Sequence, residues 1–470
     1  MRKLLLLFIL FSITQLIKAD DDNDVVAVIP PSGTLPVLYI NTVDQTPVDQ
    51  KEVYIEETAW LDSSMTDEFE SLGSESEPVT LGIRGRGNAT WFQSVKKPYK
   101  LRFDDKQSIF GSEKNRHYAL LHLQGPVTSF FHEPLAFRAA ELLGDEWVPM
   151  CKPCEVVLNG EYLGLYFLTE TVRVGKHRVN ITEQLDEETD PEKIDSGWLV
   201  EIDNNPDENQ IELFEPNGRS LLLTFKSPEI LSEQQLEYIE SEFNEIIRRV
   251  HNIDGNAGDW LDIIDGESIA RHYILNEIMR NMDGFCGSFF WHKDKGTKWI
   301  AGPAWDYGYA LIEREEGAGS YLRFFGRYGR PNLIREMLNS EDFHRIIREV
   351  WDDFYSFGTE WIDDVKNDWI KRTAAAGEQN FLVWGIGEAM YWRGALAASR
   401  LKENIEWLNE YLQSDAFNNW VFVGVDEVKT DSGDEFGNAC DLLGRPILNP
   451  ESYKGIIISG QRKIYRGNTQ

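Results

Sequence analysis

Two acidic residues, Asp283 and Asp306, stand among glycines and aromatics in the segment NMDGFCGSFFWHKDKGTKWIAGPAWDYGYA, residues 281–310. The aromatic-rich runs 288–293 and 298–302 are joined by the turn-forming sequence DKGT, which predicts a β-hairpin. Because both open ends of a hairpin lie on the same side, we expect the two carboxylates to approach one another. A cation between them, or protonation of one, would stabilise such a pair. The alternative is that both aspartates cap turns or accept backbone amide hydrogens.

Upstream residues complete a pattern suited to phosphoryl transfer. That reaction needs a cation, a basic side chain on the phosphates and a carboxylate that orients the attacking hydroxyl. Protein kinases place these groups in a Gly-rich loop, a strand lysine, an aspartate with a polar residue five positions later, and the aspartate of D-F-G. The counterparts are IRGRGNATW at 83–91, KKPYKLRF at 96–103, Asp283 with Ser288, and Asp306 in DYG. Because Pro98 can begin a strand but not lie inside a central one, Lys97 and Lys100 are best placed to point inward.

Composition and charge limit the class of protein. The 470 residues, 42% of them hydrophobic, can bury a large core. The net charge of -32 opposes nucleic acid and anionic membranes, so we expect no nucleic-acid partner.

The first 19 residues, MRKLLLLFILFSITQLIKA, have the basic start and apolar stretch of a secretory signal peptide, with removal expected after Ala19. No later apolar run approaches the ~20 residues of a transmembrane helix. We therefore expect a secreted protein, extracellular or at the cell surface.

The hydrophobic pattern predicts an α+β fold. Residues 36–230 contain mostly short strand-like runs, and residues 231–415 follow helical spacing. Residues 421–470 have their own composition and predict a small C-terminal β segment. Helices are predicted at about 131–144, after a capping box of Ser232 and Gln235, and at 267–281, 341–371 and 388–413. The hairpin should lie near the junction of the two regions, where small-molecule sites usually form.

Four cysteines do not make a disulfide scaffold at this length. Cys151 and Cys154 form a CxxC just before the strand EVVLN. In an exported protein we expect a local disulfide, with a metal site as the second interpretation and a redox site as the third. Cys286 and Cys440 have no assigned role.

Several segments in order resemble the CotH-kinase family, from about residue 36 to about residue 415. They are LPVLYINT, IRGRGNATW, KKPYKLRF, VVLNGEYLGLYFLTE, HRVNIT, GWLVEID, NMDGFCGSFFWHKD, GPAWDYGYA and SRLKENIEWL. The resemblance implies an atypical, secretory-type protein kinase with a two-lobe fold, ATP as cofactor, and Mg or Mn as the divalent metal. The acceptor is not indicated.

The resemblance also implies roles for individual residues. Asp283 matches the family's catalytic aspartate and Asp306 its metal-binding aspartate. The phosphate-side strand motif is matched by Arg86, Asn88 and the lysines of KKP, Lys96 and Lys97, and we expect Lys97 and Lys100 to bind the nucleotide. Glu170 matches the glutamate that closes an LYLLTE-like strand, and we expect it to form an ion pair with Lys97 or Lys100.

The sequence departs from the family at three places. Gly308 stands where many relatives carry a second acidic residue, and His132 and Glu133 stand where an aspartate and an Arg-Asn pair are usual. Ser288 replaces an asparagine seen in some members, and its hydroxyl is a poorer metal ligand.

These departures leave a second hypothesis: a weakened or inactive surface protein that acts in adhesion or glycan binding. The aromatics that could stack on sugars are Phe285, Phe289, Phe290, Trp291, Trp305, Tyr307 and Tyr309. A third hypothesis is a glycosidase with Asp283 and Asp306 as its acid and base.

The tail DLLGRPILNPESYKGIIISGQRKIYR resembles the C-terminal segments of many secreted Bacteroidetes proteins. This likeness implies export or surface attachment for residues 421–470.

Overall fold

The computed structural model describes most of the chain from residue 29 onward. The described ranges are 29–122, 131–203, 209–216, 218–253, 255, 259–281, 283–308, 310–311, 333–385, 390–418, 440–441, 455–459 and 462–466.

The first seven strands form a closed barrel in the order β1-β2-β3-β4-β5-β7-β6. They are β1 (Val37–Thr42), β2 (Ile55–Asp62), β3 (Val79–Gly85), β4 (Tyr99–Gln107), β5 (Asn115–Leu121), β6 (Cys151–Leu158) and β7 (Glu161–Glu170). Parallel pairing of β1 with β6 closes the barrel. Alternate residues such as Ile83, Leu101 and Phe103 pack inside it, because successive strand residues point to opposite faces.

A second sheet contains the predicted hairpin. Its strands are β8 (Trp198–Asp203), β9 (Gln210–Phe214), β10 (Ser220–Ser227), β11 (Phe289–Lys293) and β12 (Ile300–Ala301), in the order β12-β11-β8-β10-β9. β11 and β12 pair antiparallel with Trp291 opposite Ala301, so the hairpin is confirmed. β11 also pairs with β8, and the sheet therefore takes strands from both sides of residue 230.

Helices dominate after residue 232. The described helices are α1 (Ala89–Gln93), α2 (His132–Leu143), α3 (Pro191–Ile194), α4 (Glu233–Val250), α5 (Gly266–Met279), α6 (Leu333–Met337), α7 (Glu341–Tyr355), α8 (Glu360–Trp384), α9 (Met390–Leu412) and α10 (Asp415–Asn418). The predicted capping box of Ser232 and Gln235 begins α4. The helix predicted over 341–371 is wrong in one respect: it is two helices, since Gly358 between them has a left-handed φ of 66°.

The structure confirms the α+β class, with a β-rich N-terminal region and a helical C-terminal region. In the predicted C-terminal β segment, β13 (Cys440–Asp441), β14 (Gly455–Ser459) and β15 (Arg462–Arg466) form a three-stranded sheet. Within the described ranges, no helix is both long and apolar enough to cross a membrane.

The predicted disulfide between Cys151 and Cys154 is wrong, because both cysteines are free. They lie three residues apart on β6, where a strand rises about 3.3 Å per residue. Their Cα atoms are therefore about 10 Å apart, beyond the ~7 Å limit for a disulfide.

Candidate active site

The loop after β12 presents Asp306. This side chain is exposed, and its backbone has a left-handed φ of 60°, which is unusual for a residue with a side chain. The Ser288 hydroxyl donates a hydrogen bond to Asp306 Oδ2 at 3.4 Å. The hairpin thus brings together two predicted site residues: Ser288, which precedes β11, and Asp306, which follows β12.

The first turn of helix α2 forms hydrogen bonds with the backbone of this loop. Glu133 Oε2 accepts a hydrogen bond from the Tyr307 backbone N–H at 3.1 Å. His132 Nδ1 donates to the Gly308 carbonyl at 3.3 Å, and burial lowers the pKa of His132 to about 4. The helix sits here because Leu135, with other apolar residues of α2, packs into the main core.

Residues at the other end of the same helix support the start of the loop. Asp145, just after α2, accepts a hydrogen bond from the Ala304 backbone N–H. Its Oδ2 lies 3.6 Å from Nε2 of His272, which is buried on α5. A Cβ on Gly302 would lie only 2.5 Å from the same His272 nitrogen, so the loop passes where only glycine fits. The conformation of Asp306 is therefore fixed by buried groups on both sides.

Glu133 and Asp306 border one small space. A Cβ on Gly308 would lie 3.8 Å from Asp306 Oδ1 and 3.9 Å from Glu133 Oε1. Burial, and next the charge of Asp306, raise the pKa of Glu133 to about 8, against the opposing effects of the Tyr307 N–H and the Arg86 guanidinium. A cation between the two carboxyls would favour ionisation of both.

A third carboxyl, Glu201 on β8, feels the charge of Asp306. Burial raises the pKa of Glu201, and Asp203 and Asp306 add to this, while Lys226 opposes it. Lys226 Nζ lies 2.6 Å from Glu201 Oε2 and forms an ion pair with it. The acidic character of the site is therefore concentrated at Asp306 and Glu133.

These residues fit a divalent metal that is shared with a nucleotide. No group of three or more His, Cys, Asp or Glu side chains in the described ranges could hold a metal by itself. Mg²⁺ in phosphoryl-transfer sites is usually held by one or two carboxylates with phosphate oxygens and water. Exposed Asp306, with Glu133 beside it, provides such a partial ligand set.

Arg86, which follows β3, reaches the same loop. Its guanidinium carbon lies 5.7 Å from the centre of the Trp305 ring, a cation–π distance. Its charge also lowers the pKa of Glu133. Arg86 is therefore a predicted phosphate-side residue whose contacts lead to the Asp306 loop.

Asn88 and Lys97 have local partners instead. Asn88 Oδ1 accepts a hydrogen bond from Lys51 Nζ at 2.7 Å. Lys97 Nζ donates to the Trp91 carbonyl at 2.6 Å and lies 5.3 Å from the Trp91 ring centre. Both contacts stabilise the Gly-rich segment around α1, and nucleotide binding by Asn88 and Lys97 stays a prediction.

The expected ion pair of Glu170 with Lys97 or Lys100 is wrong. Glu170 Oε1 lies 3.4 Å from Arg178 Nε, and Oε2 accepts the Met150 backbone N–H at 3.1 Å. Strand register gives the reason. Glu170 pairs with Tyr118, which pairs with Leu101 rather than Lys100, so Glu170 and Lys100 point to opposite faces of the barrel wall.

Asp283 lies in a tight turn after α5. Its carbonyl accepts the backbone N–H groups of Cys286 at 3.1 Å and Gly287 at 2.8 Å. Its own N–H donates to Asn281 Oδ1 at 3.3 Å. The turn keeps the Asp283 side chain half-buried, and its convergence with Asp306 stays a prediction.

The glycan-stacking hypothesis does not agree with the burial of the aromatics. Phe285, Phe289, Phe290, Trp291 and Tyr307 are at most 5% exposed, so their faces contact protein rather than a ligand. Trp305 is half-buried under Arg86. Tyr309 lies outside the described residues.

The sequence interpretation missed Glu133 as a site residue. It treated His132 and Glu133 as departures from a family pattern, although both fall in the first turn of the predicted 131–144 helix. No local signal connects that turn with Gly308, since the contact spans more than 170 residues of chain. The alternating pattern of LLLTFK indicates which residues of that strand share a face with Lys226. It does not indicate which residue of another strand pairs with Lys226.

The model of the CotH kinase protein family matches residues 83–416. This is well over half of the chain, and the chain belongs to that family. Membership suggests a kinase-like function and implies the use of ATP with a metal. A search of curated proteins finds no match for this chain.

Proposed function

We propose that the protein is a secreted kinase that transfers the γ-phosphate of ATP to a Ser/Thr-type hydroxyl with Mg or Mn. The proposal rests on three residues that lie together around Gly308, within the range matched by the family model. They are Asp306, which is exposed, Ser288 and Glu133. A two-lobe arrangement, with the barrel as one lobe and the helical region as the other, is part of the proposal.

Each residue has a distinct role in it. Asp306 and Glu133 would hold the divalent metal, which spreads the charge of the phosphates when it is bound. Arg86 would stabilise the phosphates from the barrel side, with its guanidinium fixed over Trp305. Asp283 would accept the proton of the acceptor hydroxyl.

Calorimetric titration of the mature protein with ATP and Mg or Mn tests the nucleotide site. Asp306→Asn and Glu133→Gln should each weaken metal-dependent binding about tenfold or more, because each removes one negative ligand. Asp364→Asn is the matched control, since Asp364 is exposed on α8. Binding that Asp306→Asn leaves unchanged would contradict the assignment, and no binding to any variant would favour an inactive member.

Asp283→Asn separates catalysis from binding. General-base catalysis typically contributes about 10²- to 10⁴-fold. We expect turnover, measured as radiolabelled phosphate transfer or ATP hydrolysis, to fall by at least about 100-fold while the ATP dissociation constant changes less than about threefold. Equal loss of binding and turnover would make Asp283 a structural turn residue.

Export is supported by the signal-peptide layout of residues 1–19. Mass spectrometry of protein recovered from the culture medium should give the mass of a chain that begins at Asp20. The C-terminal segment 421–470 is proposed to act in sorting or surface attachment. Deletion of this segment should change the distribution of the protein between cell surface and medium.

A further inference from the structure

The backbone that leads into the Asp306 loop, residues 301–304, has its N–H groups bound by neighbouring elements. The N–H of the first residue donates to the Ser268 hydroxyl of α5 at 3.0 Å, and that of the second donates to the Phe290 carbonyl of β11 at 2.9 Å. The third residue is proline, which has no N–H. The N–H of the fourth donates to the Asp145 carboxyl. Three different elements therefore fix the start of the loop.

Two carboxyls at the two ends of α2 bind the backbone on either side of Asp306. Asp145 accepts the N–H two residues before it, and Glu133 accepts the N–H one residue after it at 3.1 Å. Glu133 lies in the first turn of α2. Asp145 is fixed just beyond the last turn, where its own N–H donates to the Ala140 carbonyl at 3.0 Å. Because a helix has a fixed rise per residue, α2 sets the distance over which the loop is held.

Two buried histidines face the same stretch of backbone. His292 Nδ1 of β11 donates to the Gly302 carbonyl at 3.2 Å. His272 Nε2 of α5 lies 3.6 Å from Asp145 Oδ2, which exceeds a normal hydrogen-bond length. Neither of the latter two atoms has a hydrogen-bond partner among the residues that the structure describes. One carboxyl oxygen of Asp145 is therefore buried against His272 without a hydrogen bond.

Folding stability does not explain this pair of side chains. Burial raises the pKa of Asp145, while the charges of His272 and Arg271 and the Ala304 N–H oppose that effect. Burying an ionisable pair with an unpaired atom on each side costs free energy, and well-packed apolar residues in its place are often neutral or stabilising. An apolar residue could not, however, accept the Ala304 N–H. The contribution of the carboxyl is therefore to the conformation of the loop.

We propose that Asp145 is a positioning residue for Asp306. Its hydrogen bond to the Ala304 N–H fixes the backbone on one side of the loop, and Glu133 fixes it on the other. The Asp306 carboxyl is thereby held beside Gly308. Asp145 acts through the backbone in this role, so it does not have to contact the metal or the nucleotide.

This role rests on the proposed function, because it assumes that Asp306 holds the divalent metal. Asp306 has a left-handed φ of 60°, a conformation that persists in a residue with a side chain only when the surroundings enforce it. Residues that orient a metal ligand from behind typically change metal affinity or activity by about 10- to 100-fold when they are replaced. Loss of the Asp145 contact should therefore weaken metal-dependent ATP binding without a comparable loss of folding stability.

Calorimetry of the full chain with ATP and Mn tests the effect on the metal site. Asp145→Ala should weaken binding about tenfold or more. Asp145→Asn should stay within about threefold of the wild type, because the amide oxygen still accepts the Ala304 N–H. Gln184→Ala is the matched control: it also removes a buried hydrogen bond, from Gln184 to the Ile194 carbonyl at 3.3 Å, and should leave binding within about twofold. Equal weakening by Asp145→Ala and either of the other two variants would overturn the proposal.

Amide hydrogen exchange, measured by mass spectrometry without metal or nucleotide, reports on the loop itself. Asp145→Ala should speed exchange about tenfold or more in peptides that cover residues 301–307 and leave peptides from α8 unchanged, whereas Asp145→Asn should exchange like the wild type. Unchanged exchange at 301–307, or faster exchange with unchanged ATP binding, would overturn the proposal. If the wild type does not bind ATP with Mn while the exchange result holds, the proposed kinase function fails, and with it the metal role of Asp145, but the contact of Asp145 with the loop stands.

Discussion

Glu57 is a buried carboxyl with no counter-charge among the residues that the structure describes. It lies on β2 in the inward-facing series with Ala59 and Leu61, and it is 3% exposed. Neither carboxyl oxygen has a hydrogen-bond partner in the described part of the chain. Burial raises the pKa of Glu57 to about 9, so this side chain is neutral in the folded protein at pH 7.

This shift makes folding stability depend on pH. A raised pKa in the folded state gives stability that is complete below the unfolded value of about 4.5 and falls until pH reaches about 9. The loss is about 1.4 kcal/mol per pH unit at most. We expect Glu57→Gln to remove this loss, so that between pH 5 and pH 8 its unfolding free energy falls about 4 kcal/mol less than that of the wild type.

Urea unfolding at the two pH values measures the difference. Glu56→Gln is the control, because Glu56 is the exposed neighbour on the same strand. If both variants show the same pH dependence as the wild type, Glu57 is hydrated or paired in solution and the interpretation is wrong.

At the scale of single residues, the sequence predicted the contacts that depend on a local pattern and missed those that depend on distant parts of the chain. Asp306 and Ser288 are close because a hairpin of fixed length connects them, and a hairpin has a strong local signature. Glu133 was missed because its position depends on how α2 packs against a loop far along the chain. The pairing of Glu170 was wrong because strand register, which the sequence does not specify, decides the face of the sheet.

At the scale of elements, α8 is joined to the barrel by a buried polar contact. Lys96 Nζ, fully buried, donates to the Leu165 carbonyl at 2.5 Å and to Asn380 Oδ1 at 2.6 Å. Asn380 Oδ1 also accepts the Leu165 backbone N–H at 3.2 Å. Gly164 permits this approach, since a Cβ there would lie 2.6 Å from Asn380 Oδ1.

Asn380→Ala should therefore weaken the joint between α8 and β7. It removes one acceptor from the buried Lys96 amine and leaves the Leu165 N–H unpaired, which together cost about 3 kcal/mol or more. Glu378→Ala, on the exposed face of the same helix, should change the unfolding free energy by less than about 0.5 kcal/mol. The measurement is urea unfolding followed by tryptophan fluorescence.

A second substitution tests the cause. Lys96→Met in the Asn380→Ala background removes the buried amine that has lost an acceptor and should recover part of the lost stability. If the double variant is less stable than Asn380→Ala alone, the amine has another function in the joint.

Element type was more predictable than element arrangement. The alternating and helical periods indicated the strands before residue 230 and the helices after it, and both are confirmed. Barrel closure was not predicted, because the parallel pairing of β1 with β6 is a non-local contact. The break at Gly358 and the free cysteines were missed for a related reason: each depends on backbone geometry that residue type alone does not specify.

At the scale of the whole molecule, the family-matched region ends near α10. The family model ends at residue 416, and Phe417 on α10 is buried at 1% exposure. Its ring centre lies 4.4 Å from that of His344, and the Arg348 guanidinium lies 5.0 Å from the Phe417 ring. The strands of the C-terminal β segment pair with one another in a sheet of their own.

A chain that ends after Asn418 should therefore keep its core and its nucleotide site. We expect its melting temperature and its metal-dependent ATP binding to match those of the full chain within about 2 °C and about twofold. Phe417→Ala in the full chain should instead lower the unfolding free energy by about 3–5 kcal/mol, because it opens a cavity beside His344 and Tyr411. If truncation after Asn418 destabilises the protein as much as Phe417→Ala does, the C-terminal segment is part of the folded core, and its proposed role in surface attachment loses its structural basis.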